Sequence, residues 1–135
     1  MKVEPYVFFG GRCEEAMAFY QKALGAEVTF QMRVSESPDP VPPGALPPGF
    51  ENKIMHANLR IGDTSLMVSD GNQATREFKG FTLSLGVADA AEAERAFNAL
   101  AVGGKVTVPL GKTFWSPAFG MVEDQFGVGW MVIAP

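Results

Sequence analysis

Glu14-Glu15-Ala16-Met17-Ala18-Phe19-Tyr20-Gln21-Lys22-Ala23-Leu24-Gly25 and Glu92-Ala93-Glu94-Arg95-Ala96-Phe97-Asn98-Ala99-Leu100-Ala101-Val102-Gly103 are two readings of one pattern, 78 residues apart. In the first, Ala16, Phe19, Tyr20, Ala23 and Leu24 recur at helical spacing behind two acidic residues that suit a helix N-terminus, and Gly25 supplies the stop. In the second, Ala93, Ala96, Phe97 and Leu100 form the apolar stripe, Ala88-Asp89 the start and Gly103-Gly104 the stop. Glu14, Ala18, Phe19 and Gly25 match Glu92, Ala96, Phe97 and Gly103 in register.

Working outward, each helix is preceded by a β-rich run, Val3 to Gly10 and Gly80 to Val87. Each is followed by three more strand candidates: Val28–Val34, Lys53–Ile61 and Thr64–Ser69 in the first half, and Lys105–Leu110, Ala118–Glu123 and Val128–Ile133 in the second. Gly62-Asp63 is the turn of a hairpin, and Asp124-Gln125-Phe126-Gly127 is the last turn. Self-similarity of this kind predicts an α+β fold of two βαβββ modules. They are expected to share a single domain over residues 1–135, module one at about 1–70 and module two at about 78–135. Each sheet would pack one face on its helix and leave the other to line a cleft.

The segment Ser35–Asn52 breaks the pattern, with six of the ten prolines and almost no apolar periodicity, so it reads as a loop, either a lid over a site or a mobile excursion. In Lys53–Ile61 the alternation puts Met55, Ala57, Leu59 and Ile61 on one face and His56, Asn58 and Arg60 on the other.

The balance of 11 basic and 15 acidic residues, interspersed along the chain, offers no stripe for a phosphate backbone, so nucleic acid is not an expected partner. One cysteine, Cys13, excludes an intrachain disulfide and a thiolate metal cluster, and reads as a small semi-buried residue. With no apolar run of membrane-spanning length and no signal-peptide core in Met1-Lys2-Val3-Glu4-Pro5, the expected location is the cytoplasm, without a membrane partner.

The stretches Pro5–Gly10, Glu15–Tyr20, Lys53–Gly62, Leu66–Asp70, Gly80–Leu85, Thr113–Trp115 and above all Phe119–Met131 resemble the PhnB-like branch of the vicinal oxygen chelate (glyoxalase/bleomycin resistance/extradiol dioxygenase) superfamily. That resemblance implies paired βαβββ modules curving around a cleft, usually in a homodimer, in a superfamily that includes lyases, isomerases, ring-cleaving dioxygenases and antibiotic-sequestering proteins. Some members of the branch carry a label relating them to a ubiquinone methyltransferase, but no glycine-rich strand-to-helix turn for a nucleotide cofactor is visible in this chain. Aligned on the family's helix and turn signatures, the metal-ligand positions fall at or near Pro5, Met67, Thr82 and Met131, or with a one-residue slip Tyr6, Phe81 or Trp130. None is a normal ligand for a hard or borderline divalent ion, so no metal and no cofactor are expected.

His56 suits acid-base work near neutrality, or is a hydrogen-bonded strand histidine beside Asn58 or Asp70. Arg60 on the same face would clamp an anionic or carbonyl-bearing ligand or sit in an ion pair. Ser65 and Ser69 on the next strand, with Thr82 and Ser84 in the second module, read as hydrogen-bonding wall, with no activating partner for a nucleophile. Phe114, Trp115, Phe119 and Trp130 concentrate aromatic surface near the C-terminus, and the Phe114-Trp115 loop is the aromatic site candidate. Glu123 and Asp124 point to opposite faces and cannot act as a carboxylate pair; Asp124 reads as a turn residue.

Together these residues lead to a metal-independent protein that binds a compact, aromatic or carbonyl-bearing small molecule through His56, Asn58, Arg60, Ser69, Thr82, Phe114 and Trp115. The alternative is a lyase- or isomerase-type enzyme using His56 with a relocated metal or acid-base chemistry, and whether the protein is an enzyme stays open at this point.

Overall fold

The computed structural model describes residues 1–74 and 77–135. Its elements run β1 (Tyr6–Phe8), α1 (Cys13–Leu24), β2 (Glu27–Arg33), β3 (Ile54–Ile61), β4 (Thr64–Ser69), β5 (Leu83–Gly86), α2 (Ala90–Ala101), β6 (Lys105–Gly111), β7 (Phe119–Glu123) and β8 (Gly129–Ile133), with 3₁₀ turns at Val34–Glu36 and Phe50–Asn52. The chain divides into two compact units, Met1–Arg76 and Glu77–Pro135. Each holds one four-stranded mixed sheet, ordered β1-β4-β3-β2 in the first and β5-β8-β7-β6 in the second. The βαβββ repeat read from the two helices is therefore present in both order and pairing: β1 runs parallel to β4 as β5 does to β8, and the remaining pairs are antiparallel.

α1 buries Cys13, Ala16, Met17, Tyr20 and Ala23, which is one stripe of a 3.6-residue helix. It ends on Gly25 at φ 67°, where the Gly25 and Ala26 amides donate to the Gln21 and Tyr20 carbonyls and close the last turn. Its start is unusual, because Arg12 at the cap position provides no side-chain acceptor. Asp70, just beyond β4 and 1% exposed, takes over: Oδ1 accepts from the Gly11 and Cys13 amides and Oδ2 from the Ile54 amide, each at 2.8 Å. One carboxylate thus fastens the helix start to the first residue of β3. α2 instead carries its own cap, the Asp89 carboxylate accepting from Glu92 N at 2.8 Å while the Glu92 carboxylate accepts from Ala88 N at 2.9 Å.

In the first sheet the two faces separate as alternation demands. Val7, Phe9, Ala57, Leu59, Leu66 and Val68 are buried on the helix side. Tyr6, Phe8, Phe30, His56, Asn58 and Met67 stand on the other, with Tyr6 opposite Met67, and Asn58 between Phe30 and Met67 in the ladder. Burying the six apolar side chains contributes roughly 1.5–3 kcal/mol for each large one, which fixes the register because a slip of one residue would exchange the faces.

One expectation for β3 needs correction. Met55 does not join the buried face with Ala57 and Leu59; Ile54 does, at 1% exposure. The β2–β3 register passes from Met32 opposite His56 to Arg33 opposite Ile54, skipping Met55, so a bulge inserts one residue between the two buried positions. The strand spans also tighten relative to expectation. β1 keeps only Tyr6–Phe8, between Pro5, which has no amide to donate, and Gly10 and Gly11, whose φ of 59° and 102° turns the chain away. β5 begins at Leu83, which leaves Thr82 just ahead of the strand.

Candidate functional site

The bulge shapes what lies on the open face of the first sheet. With Met55 released from the core, it lines a cavity of about 520 Å³ together with Tyr6, Phe8, Ser69 and two residues of the proline-rich loop, Val41 and Leu46. Val34 completes the apolar wall where the loop leaves β2. Tyr6 and Phe8 alternate with buried Val7 and Phe9, and their rings stack at a centroid separation of 4.6 Å and an interplanar angle of 19°. The loop's base is closed by the Val34 amide on the Lys53 carbonyl at 3.0 Å and by Arg33, whose guanidinium donates to the Asn52 carbonyl at 2.7 Å and pairs with Glu14.

Behind Tyr6 stands the chain's single histidine. Tyr6 Oη lies 2.8 Å from His56 Nδ1, and His56 Nε2 lies 3.0 Å from Asn58 Oδ1. Because the Asn58 oxygen can only accept, Nε2 is the nitrogen that donates to it; in the neutral ring Nδ1 then accepts from the phenol, and the three side chains form one directed chain of hydrogen bonds. The ring is flanked by Tyr6, edge-on at 5.3 Å, and by Phe30 at 6.1 Å. Burial raises the Tyr6 phenol above its ordinary value, against the opposing effect of a Ser69 hydrogen bond, and so keeps the hydroxyl protonated across the neutral range. Neither Tyr6 nor the aromatic pair it makes with Phe8 stood among the expected site residues. The Tyr6/Val7/Phe8/Phe9 alternation was the available signal, and it becomes informative only once the helix side of β1 is known.

Arg60 sits in an ion pair: its guanidinium meets the Glu27 carboxylate directly across from it on β2. Ser69 is 3% exposed and its hydroxyl is occupied by the bulge, lying 2.7 Å from the Met55 carbonyl and accepting from the Gly71 amide at 2.9 Å. It therefore shapes the cavity floor by holding β3 and β4 together.

Three of the expected residues belong to the second unit. Thr82 lines a cavity of about 200 Å³ with Phe78, Phe81, Met121 and Trp130. Phe114 is 98% exposed and meets Trp115 edge-to-face at 4.7 Å; Trp115 is 53% exposed and in turn meets Phe119 at 5.6 Å. Trp130 is core, its indole N–H donating to Asp124 Oδ2 at 2.9 Å. Asp124 also accepts from the Phe126 and Val128 amides, the turn role expected of it. Cys13 is fully buried rather than semi-buried, and burial pushes its thiol well above the ordinary range.

Of the positions that the family resemblance implies for metal ligands, Met67 lies opposite Tyr6 and Met131 opposite Ser84. Among the described residues, no group of three or more His, Cys, Asp or Glu side chains is placed to hold a metal ion. Nor is any described helix long and apolar enough to cross a membrane.

The family model for the Glyoxalase/Bleomycin resistance protein/Dioxygenase superfamily matches residues 2–132. Protein YjdN of Escherichia coli strain K12 is 38% identical over 138 aligned positions, covering 98% of this chain and 94% of YjdN. Among solved structures, protein PA1353 from Pseudomonas aeruginosa is similar at 43% identity and a TM-score of 0.86, over 99% of this chain and 97% of that one. A PhnB protein from Bacillus cereus is similar at 26% identity and a TM-score of 0.80, with both chains fully covered.

Proposed function

The chain belongs to the glyoxalase/bleomycin resistance protein/dioxygenase superfamily, and we propose that it binds a flat, aromatic small molecule in the cavity on the open face of its first sheet, without the help of a metal. The observation that carries this reading is the stacked Tyr6–Phe8 pair as one wall of a cavity of about 520 Å³, faced by Val41 and Leu46 of the proline-rich loop. Small-molecule sites commonly occupy about 300–1,000 Å³ and combine apolar walls with a few polar groups. Tyr6 supplies a polar group, the Ser69 hydroxyl being engaged with the bulge, and Met55, on that bulge, supplies an adaptable floor.

His56 and Asn58 belong to this site through Tyr6. Arg60 is engaged with Glu27, and we assign it to holding the sheet edge rather than to the ligand. The ligand residues we propose are therefore Tyr6, Phe8, Val41, Leu46 and Met55. The chemistry of these side chains asks for no metal, since they include no carboxylate or imidazole facing the ligand.

A neutral aromatic probe, 4-nitroanisole, tests the reading by two-dimensional NMR of labelled protein. Expected are shifts at Tyr6, Phe8, Val41 and Leu46 and the same affinity after treatment with chelator. Phe8→Ala is expected to weaken binding about threefold to tenfold, the size of one lost stacking contact of about 0.5–1.5 kcal/mol. Shifts confined to residues outside the cavity would sink the proposal, and chelator sensitivity would sink its metal independence. Light scattering of the purified protein tests the homodimer that the family resemblance implies.

A further inference from the structure

We propose that Tyr6, His56 and Asn58 are a proton relay, and that the cavity takes a weakly acidic ring, a phenol or enol, whose proton passes to His56 on binding. This rests on the cavity proposed above being the ligand site. Tyr6 is a wall residue of the cavity and His56 is not, so the imidazole is reached from the ligand side through the Tyr6 hydroxyl.

The geometry has the three parts that activated groups require: a hydroxyl, a base within hydrogen-bond reach of it at 2.8 Å, and a third group at 3.0 Å that orients the base. The order differs from a nucleophile triad in one respect. Burial holds the Tyr6 phenol protonated, so the tyrosine passes a proton and does not keep the charge. The ligand O–H bond breaks and its proton joins Tyr6 Oη; the original Tyr6 O–H bond breaks and that proton joins His56 Nδ1. Tyr6 ends as it began, the ligand becomes an anion and His56 an imidazolium. Asn58 Oδ1 accepts from Nε2–H before and after, so the ring does not turn over. No oxidant, metal or cofactor enters.

The polarity of the chain selects the ligand class. The Tyr6 proton is committed to His56, so what Tyr6 offers the cavity is an oxygen lone pair, which meets a donor and not an acceptor. Ser69 also hydrogen-bonds Tyr6, and a ring hydroxyl adds a donor to the same oxygen, whereas a ring with only carbonyl oxygens has no proton to give the relay.

The test uses 4-nitrophenol, coloured as its anion, and 4-nitroanisole, its methyl ether without the acidic proton. The chain's single histidine lets ¹⁵N-histidine labelling report one imidazole. Expected are an Nε2–H tautomer for the neutral ring, an imidazolium that persists to higher pH in the nitrophenol complex than in the free protein, and more nitrophenolate absorbance than the free dye gives at the same pH. Tyr6→Phe and His56→Gln, each compared with the parent protein at saturating dye, should abolish the nitrophenolate band, and a nitroanisole titration of each variant gives the concentration at which its cavity is filled; the glutamine still accepts a bond from Tyr6. A parent protein that binds both dyes but leaves nitrophenol protonated and His56 neutral overturns the relay and leaves the cavity reading intact. Nδ1–H as the resting tautomer also overturns it. If neither dye binds, the cavity reading falls and the relay with it.

Discussion

Replacing Asp70 by asparagine should cost the protein far more than an isosteric change on a polar residue ordinarily does. The carboxylate is 1% exposed and accepts three backbone bonds at 2.8 Å: Gly11 and Cys13 on one oxygen, Ile54 on the other. An asparagine keeps one oxygen. If that oxygen serves Gly11 and Cys13, the amide NH₂ meets the Ile54 N–H, donor against donor, and a buried amide loses its partner at about 1–3 kcal/mol. The two surviving bonds also lose their charge assistance, which is roughly half of their strength. Together these give about 2–4 kcal/mol, a large share of the ~5–15 kcal/mol by which domains are stable. Urea denaturation measures this directly, and native-state hydrogen exchange gives its location: the Gly11, Cys13 and Ile54 amides should lose protection ahead of β7 and β8. Because Ile54 adjoins the bulge at Met55, Asp70→Asn should also weaken nitroanisole binding without touching a cavity residue. A destabilisation under about 0.5 kcal/mol, the range of ordinary surface substitutions, would refute the claim that this carboxylate anchors the unit.

Three further outcomes follow from the same structure. Gly120→Ala should destabilise the second unit by about 1–3 kcal/mol, because a Cβ there would sit 2.8 Å from the Phe97 ring and 2.9 Å from the Leu110 backbone; a melting temperature equal to the parent's would show that the helix and strand yield freely. Cys13 is buried and its thiol raised, so a thiol reagent should label it only as the protein opens, with a rate that rises with urea; immediate labelling of native protein would contradict the burial. The Arg33 hydrogen bond lowers the exposed Glu14 carboxyl, so its contribution is present above the ordinary carboxylate range and disappears as pH falls through the lowered value. A double-mutant cycle of Glu14→Gln and Arg33→Gln should therefore give a small favourable coupling at pH 7 and none in strong acid; coupling that grew on acidification would reverse the sign of the assignment.

The parts of the fold legible in the sequence were those written in local pattern. Two helices with apolar stripes and glycine stops, a hairpin turn at Gly62-Asp63 and a repeated element order need no information beyond a few neighbouring residues, and the paired sheets follow from them. What local pattern could not carry was the bulge. Nothing in Ile54-Met55-His56-Ala57 marks an inserted residue; it exists because Arg33 and Met32 pair with Ile54 and His56 across a proline-rich excursion, while Asp70 and Ser69 hold the β3 backbone from the other side. Arg60 illustrates the same limit. Its face was readable from alternation, but its partner Glu27 was set by the β2 register. Tyr6 and His56, 50 residues apart, meet only because β1 inserts parallel to β4 and brings the open faces of three strands together.

That parallel insertion links the fold to its chemistry. A strand added antiparallel at this edge could follow β4 through a short turn, whereas β1 comes from before α1 and reaches the edge by a crossover over the helix side. Its three residues are too few to hold the edge by ladder bonds alone, so they depend on what flanks them: Pro5 O accepting from Met67 N, Phe9 N donating to Ser69 O and Gly11 N donating to Asp70. The residues that keep β1 in register are therefore neighbours of those that hold the bulge, and the Tyr6–His56 distance is set jointly by both. A change at Asp70 acts on each end of that hydrogen bond at once, β1 through Gly11 and β3 through Ile54. The site is consequently sensitive to Asp70, which is no part of the cavity lining, and Asp70 should couple to Tyr6 and His56 in a mutant cycle more strongly than the exposed Arg60–Glu27 pair, which shares their sheet face but none of these anchors.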